Sequence, residues 1–148
     1  MDKKTFYEHI KKVMTHYIGI EQYLKTTSID PIIQELIKIR VSQINGCAFC
    51  LNMHYKDALK IGETHQRMHL LSAWHDTALF SDKEKAVLDL AEKVTLVAEA
   101  PVDEQTRQNV LKYFTEAEFA SLIIMISQIN TWNRLNISIG SDIDYDYE

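Results

Sequence analysis

Cys47 and Cys50 are the only cysteines of this chain, and they stand three residues apart. At the start of a predicted helix, the C-x-x-C spacing brings both sulfurs to the same side of the first turn. Unsatisfied amides and the positive end of the helix dipole stabilise a thiolate there, with thiol pKa values lowered to roughly 3.5 to 7.5. A nucleophilic thiol at neutral pH is the expected result. Regular helical spacing keeps the β-carbons about 5 to 6 Å apart, whereas a disulfide asks for about 3.8 Å, so closing the pair requires a distorted first turn. His54 is four residues beyond Cys50 and seven beyond Cys47, which puts its imidazole on the same stripe as a proton relay. Glu35, twelve residues before Cys47, belongs to the preceding helix and faces this one if the chain doubles back at Asn45-Gly46. Two thiols, a proton shuttle and a carboxylate suit thiol–disulfide or peroxide chemistry.

The same residue types admit blander uses. Two buried, inert thiols are one. Another is zinc held by Cys47, Cys50 and His54 with His65 or His69 as fourth ligand, although three ligands along one helix fit a closed tetrahedron badly. Glu35 is able to pair with Lys38 on its own helix, and His54 to satisfy a buried group. His65, His69 and His75 read as solvated rather than catalytic. Trp74, Phe80 and Trp132 read as core or interface rather than a substrate cage. Arg134, Asn130 and Asn133 either approach a neighbouring subunit's site or reflect ordinary helix-end polarity.

The elements that must position these groups are helical, because nearly every segment repeats at three and four residues rather than two. An all-α domain of about six to seven helices is expected over residues 1–140, followed by an acidic mobile tail at 141–148. The first helix is expected from about Lys4 to Tyr23, with Gly19 as a possible break. Asp30 and Pro31 open the second as N-cap and first helical residue, and Asn45-Gly46 closes it. The cysteine helix runs from Cys47 to about Ile61, with Gly62 as its stop. A short helix spans Thr64 to about Trp74. Ser81 with Glu84, and Thr115 with Glu118, form capping boxes for two longer helices, with a short helix from Asp103 to Tyr113 between them. The last helix, to about Leu135, is apolar nearly all round at Leu122 to Ile126, which places it centrally or at a subunit interface.

Composition narrows the function classes. The chain has 148 residues, 46% hydrophobic and 25% charged, which suits one ordinary globular domain. Four Gly and two Pro are too few turn residues for a many-stranded sandwich or barrel. The formal charge of −5 is concentrated in Asp142, Asp144, Asp146 and Glu148, so the body is nearly neutral and offers no basic patch for nucleic acid or an anionic membrane. The charged N-terminus does not read as a signal peptide, and Phe119 to Ile129, the most apolar window, is about half the roughly 20 residues of a membrane span. A reducing, cytoplasmic setting is expected, in which a C-x-x-C pair does redox or metal chemistry rather than serving as a staple.

The pattern Glu35-x11-Cys47-x-x-Cys50-x-x-x-His54 resembles the signature of the alkylhydroperoxidase D (AhpD) branch of the carboxymuconolactone decarboxylase family. The likeness extends over the stretch from Glu35 to Glu63, through Trp74, Phe80 and the helix from Glu84 to Thr95, to INTWNRLNI at Ile129 to Ile137. It implies an all-helical homo-oligomer, a trimer or a hexamer built from dimers, that reduces hydroperoxides through a redox-active disulfide without a cofactor or metal. Cys50 would be oxidised by the hydroperoxide. Cys47 would donate a proton and then close the disulfide, while Glu35 and His54 move protons. A thiol or dithiol, lipoyl or thioredoxin-like, would reset the pair. Helix position alone favours Cys47 as the better thiolate, whereas the resemblance assigns the attack to Cys50. Phe49 stands where the family has a histidine before the second cysteine, which leaves the relay incomplete there. The decarboxylase branch lacks the cysteine pair, so lactone chemistry is not expected. A protein thiol–disulfide reductase, and a non-catalytic oligomeric module binding zinc or a protein partner, are the alternatives.

Overall fold

The computed structural model describes residues 1–143. Among these residues there are eight α-helices and no strand: α1 (Lys3–His9), α2 (Lys11–Lys25), α3 (Pro31–Asn45), α4 (Ala48–Lys60), α5 (His65–Leu70), α6 (Asp82–Thr95), α7 (Glu104–Leu111) and α8 (Glu116–Ser138). A 3₁₀ segment, Leu71–Asp76, continues α5. The acidic tail expected at 141–148 lies outside the described residues from position 144 on.

The helix starts follow from local capping chemistry. Asp30 accepts from the Ile32 amide, and Pro31 costs nothing at a position whose N–H would be orphaned. Ser81 with Glu84 and Thr115 with Glu118 form complete capping boxes, each satisfying two orphan donors. Asp103 caps α7 through the Thr106 amide.

The count is eight rather than six or seven because the first segment breaks at Ile10, where φ is −103° and ψ 16°. Gly19 lies unbroken inside α2. The pattern of Phe6, Ile10, Val13 and Met14 runs through the break, so local periodicity carried no warning of it. The bend turns α1 over the ends of α4 and α8. There the Lys3 ammonium sits 3.8 Å from the centroid of the Phe49 ring, and the Tyr7 hydroxyl donates to Asn136 Oδ1 at 3.5 Å.

α3 is the hub of the bundle and packs on α4, α6 and α8. Ile33, Ile37 and Val41 join Leu90, Val110, Leu122 and Ile126 in one core. Leu36 and Ile39 turn the other way and meet Ala58, Met68, Leu71, Trp74, Phe80 and Leu88 in a second. α8 is central, packing on α2, α3, α4, α6 and α7, but its apolar stretch is not covered all round. Leu122, Met125 and Ile126 are buried, but Ile124 stays 46% exposed, and the helix apolar on two faces is α3. Trp74 and Phe80 belong to the second core, as their size and lack of charge favour.

Candidate active site

The turn between α3 and α4 sets the cysteines. Gly46 adopts φ 71°, the left-handed conformation that glycine enters most cheaply, and closes α3. Cys47 is then the N-cap of α4 rather than its first helical residue, with extended backbone at φ −87° and ψ 93°. Its sulfur accepts from the Cys50 amide at 3.3 Å. Because Cys47 lies outside the helix, no distortion of the first turn is needed. The pair is disulfide-bonded with its Cα atoms 5.3 Å apart.

Side chains of α8 clamp this turn from behind. Asn45 Nδ2 donates to Oδ1 of Asn130 at 3.0 Å and of Asn133 at 2.9 Å. Asn133 Nδ2 donates to Ser42 Oγ at 2.9 Å, and Asn130 Nδ2 to Thr95 Oγ1 at 3.1 Å. Arg134 donates to the Asn130 carbonyl and side chain at 2.9 and 2.8 Å. Asn130 and Asn133 are therefore committed within this chain. They hold the cysteine turn against α8, a role that neither a neighbour's site nor helix-end polarity anticipated.

Glu35 and His54 meet across the two helices, with His54 Nδ1 2.8 Å from Glu35 Oε2. Lys38 Nζ donates to the other carboxylate oxygen, also at 2.8 Å. Both partners of the Glu35–His54 pair are nearly buried, their side chains 12% and 10% exposed. Burial by itself raises the Glu35 carboxyl, but the hydrogen bond from His54 and the positive charges of His54 and Lys38 outweigh it and hold the group below its ordinary value of 4.5. An ionised carboxylate only accepts, so Nδ1 must carry the proton. That leaves Nε2 as the ring nitrogen able to exchange a proton with the cleft. This is how a second group fixes an imidazole tautomer.

Cys50 and His54, one turn apart on α4, line a cleft of about 390 Å³ together with Glu35 and Lys38 from α3. Its walls include Phe49 and Met53 from α4, Ile129 and Trp132 from α8, and Lys3 and Tyr7 from α1. Phe49, in the position of the family's histidine, is thus an apolar wall under the Lys3 ammonium. Trp132 packs against Tyr17 at a ring separation of 5.7 Å and donates to Glu21 Oε1 at 2.7 Å, so it faces the cleft as well as the core. Both cysteines are 1% exposed, but Cys50 and not Cys47 is among the cleft residues. Asn136, buried on α8, donates to Cys50 Sγ at 3.8 Å.

Lys3, Tyr7 and Asn136 were not marked as site residues by sequence. Asn136 falls inside the INTWNRLNI string, whereas Tyr7 carried no signal at all. His65 instead pairs with Tyr55, and His75 stacks on Trp74 at 3.4 Å. Among the described residues no three His, Cys, Asp or Glu side chains group as metal ligands, and none of the helices is long and apolar enough to cross a membrane.

The sequence profile of the carboxymuconolactone decarboxylase family matches residues 11–93. The uncharacterized protein YdfG of Bacillus subtilis (strain 168) is 42% identical over 137 residues, 93% of each chain. Among solved structures, ATU0492 from Agrobacterium tumefaciens, a protein of unknown function assigned to AhpD-type antioxidant defence, superposes with a TM-score of 0.91 at 28% identity, covering 95% of this chain and 97% of that one. The AhpD core of a peroxidase-related protein from Ralstonia eutropha JMP134 gives a TM-score of 0.82 at 18% identity over 94% of this chain and 74% of its own, a likeness of fold. The profile spans Glu35, Cys47, Cys50 and His54, and it excludes Tyr7 and Asn136.

Proposed function

Since the chain belongs to the carboxymuconolactone decarboxylase family, on its AhpD-like side, we propose that it is a thiol peroxidase that reduces organic hydroperoxides by cycling the Cys47–Cys50 disulfide. The observation that carries this reading is the 2.8 Å contact of Glu35 with His54, one helical turn from a cysteine that lines the same cleft. In the reduced protein His54 Nε2 takes the Cys50 proton. The thiolate attacks the distal peroxide oxygen, the O–O bond breaks, and the leaving alkoxide receives the proton from His54. Cys50 becomes a sulfenic acid and the hydroperoxide an alcohol. The Cys47 thiol then displaces water from that sulfenic acid and closes the disulfide.

An external dithiol, lipoyl or thioredoxin-like, returns both thiols by exchange and is itself oxidised to a disulfide. Glu35 keeps the imidazole in the required tautomer and stays ionised throughout. Self-assembly into a homo-oligomer, a trimer or a hexamer of dimers, belongs to the same proposal, as does a cytoplasmic location.

The test is intact mass before and after one equivalent of an alkyl hydroperoxide on the reduced protein. A loss of two hydrogens without added oxygen is expected for the parent. Cys47→Ser should stop at one added oxygen, and Cys50→Ser should consume no peroxide. Unchanged peroxide consumption in Cys50→Ser would refute the mechanism, and a parent that ignores peroxide but reduces a protein disulfide would move the assignment to a reductase.

A further inference from the structure

Cys50 meets a side chain that the Glu35–His54 relay does not use. Asn136 is 5% exposed, and its amide is oriented by partners other than the sulfur. The Trp132 carbonyl, which only accepts, takes a hydrogen bond from Nδ2 at 2.9 Å. The Ser141 hydroxyl donates to Oδ1 at 2.9 Å and the Tyr7 hydroxyl at 3.5 Å. A flipped amide would set its oxygen against the Trp132 carbonyl and its NH₂ against both hydroxyl donors. Burial pushes the Tyr7 hydroxyl above its ordinary 10.0, so it remains a donor at neutral pH. The NH₂ is therefore held toward Cys50 Sγ by the surrounding structure, whether or not the sulfur is charged.

Of the other groups around the cleft, His54 lies one turn from Cys50, whereas Cys47 is not among the cleft residues. Lys3 and Tyr7 of α1, Glu21 and Lys25 of α2, Glu35 and Lys38 of α3, and His54 and Asp57 of α4 all line it. Lys38 is neutralised by Glu35 and Asp57 pairs with Lys60. Among the described residues, the Cys47 sulfur receives a hydrogen bond from the Cys50 backbone amide alone, the donor that helix position had favoured. Asn136 supplies the opposing donor at Cys50, and a hydrogen bond to an ionised acceptor is roughly twice as strong as one to a neutral acceptor.

We infer that Asn136 is a further catalytic residue, whose locked amide donates to the Cys50 sulfur and, beside His54, stabilises the negative charge on Cys50 rather than Cys47. The inference rests on the peroxidase reading for the word catalytic, but the preference between sulfurs is measurable without peroxide.

The measurement is the pH dependence of iodoacetamide alkylation, read by intact mass, in single-cysteine proteins. In Cys47→Ser, adding Asn136→Ala should raise the midpoint for Cys50 by about one unit, a roughly tenfold smaller thiolate fraction below the midpoint. In Cys50→Ser, the same addition should leave the Cys47 midpoint where it was. An unmoved Cys50 midpoint overturns the inference, and so does an equal rise in both backgrounds, which would mark general loosening of the fold. Should Asn136→Ala fail to fold, Asn136→Leu keeps the side-chain volume and removes the donor. A raised Cys50 midpoint there supports the inference, and an unchanged one overturns it. Failure of the peroxide mass test with the Asn136 effect intact would refute the peroxidase and leave the sulfur preference standing.

Discussion

At the scale of single residues, Glu35 is the group on which the candidate chemistry turns, because its carboxylate is shared between an imidazole and an ammonium at 2.8 Å each. Replacing it by Gln leaves a nearly buried His54 and Lys38 without an anionic partner, at a cost of about 1 to 3 kcal/mol at pH 7. The pH dependence has a definite sign. A carboxyl held below its ordinary 4.5 in the folded protein contributes stability that is present above that value and is lost as pH falls through the depressed one. Urea unfolding should therefore show Glu35→Gln less stable than the parent at pH 7, with the gap narrowing toward pH 3. A gap that persists at low pH would mean the carboxylate charge is not the source. For activity, His54→Gln removes the base but keeps hydrogen-bonding capacity, and peroxide-driven disulfide formation should slow by about 100-fold or more, read by stopped-flow Trp fluorescence. Glu35, Cys47, Cys50 and His54 were legible in the sequence because each lies at a fixed offset on one of two consecutive helices. Tyr7 and Asn136 were not, since they reach the site only through packing between helices 129 residues apart in sequence.

Helices report a different balance of local and distant causes. Those opened by Ser, Thr or Asp caps begin where capping chemistry puts them, since a cap is decided by neighbours within three residues. The first segment did not follow its periodicity, because its bend serves contacts with Phe49 and Asn136 that no window of sequence contains. Cys47 moved from the first helical residue to the N-cap for a local reason, the left-handed Gly46 before it. That position yields a prediction with its cause isolated. A Cβ on Gly46 would meet nothing within 4 Å, so Gly46→Ala carries only the backbone cost of the left-handed conformation, about 1 to 2 kcal/mol. Denaturant unfolding of the reduced protein should show that loss. A loss above about 3 kcal/mol would point to steric conflict instead, and no loss would mean that the turn relaxes to another conformation.

At the scale of the whole molecule, Glu35, His54, Cys50 and Asn136 meet within one chain, while part of α8 lies outside the cores. Ile124 is 46% exposed, although its neighbours Leu122, Met125 and Ile126 are buried. Exposed Ala117, Ala120 and Ser127 share its outward stripe at helical spacing. Small residues flanking one large apolar side chain let a second helix approach closely, and burying such a side chain yields about 1.5 to 3 kcal/mol. In a two-fold interface each substitution acts twice. Under the proposed assembly, the parent sediments as a multimer at micromolar concentration, and Ile124→Glu shifts it toward monomer with its far-ultraviolet circular dichroism unchanged. A parent that stays monomeric at that concentration rules the assembly out. Glu35, His54, Cys50 and Asn136 come from a single chain, so the dissociated variant should still lose two hydrogens on peroxide addition. If it does not, assembly supplies something to the chemistry beyond these residues.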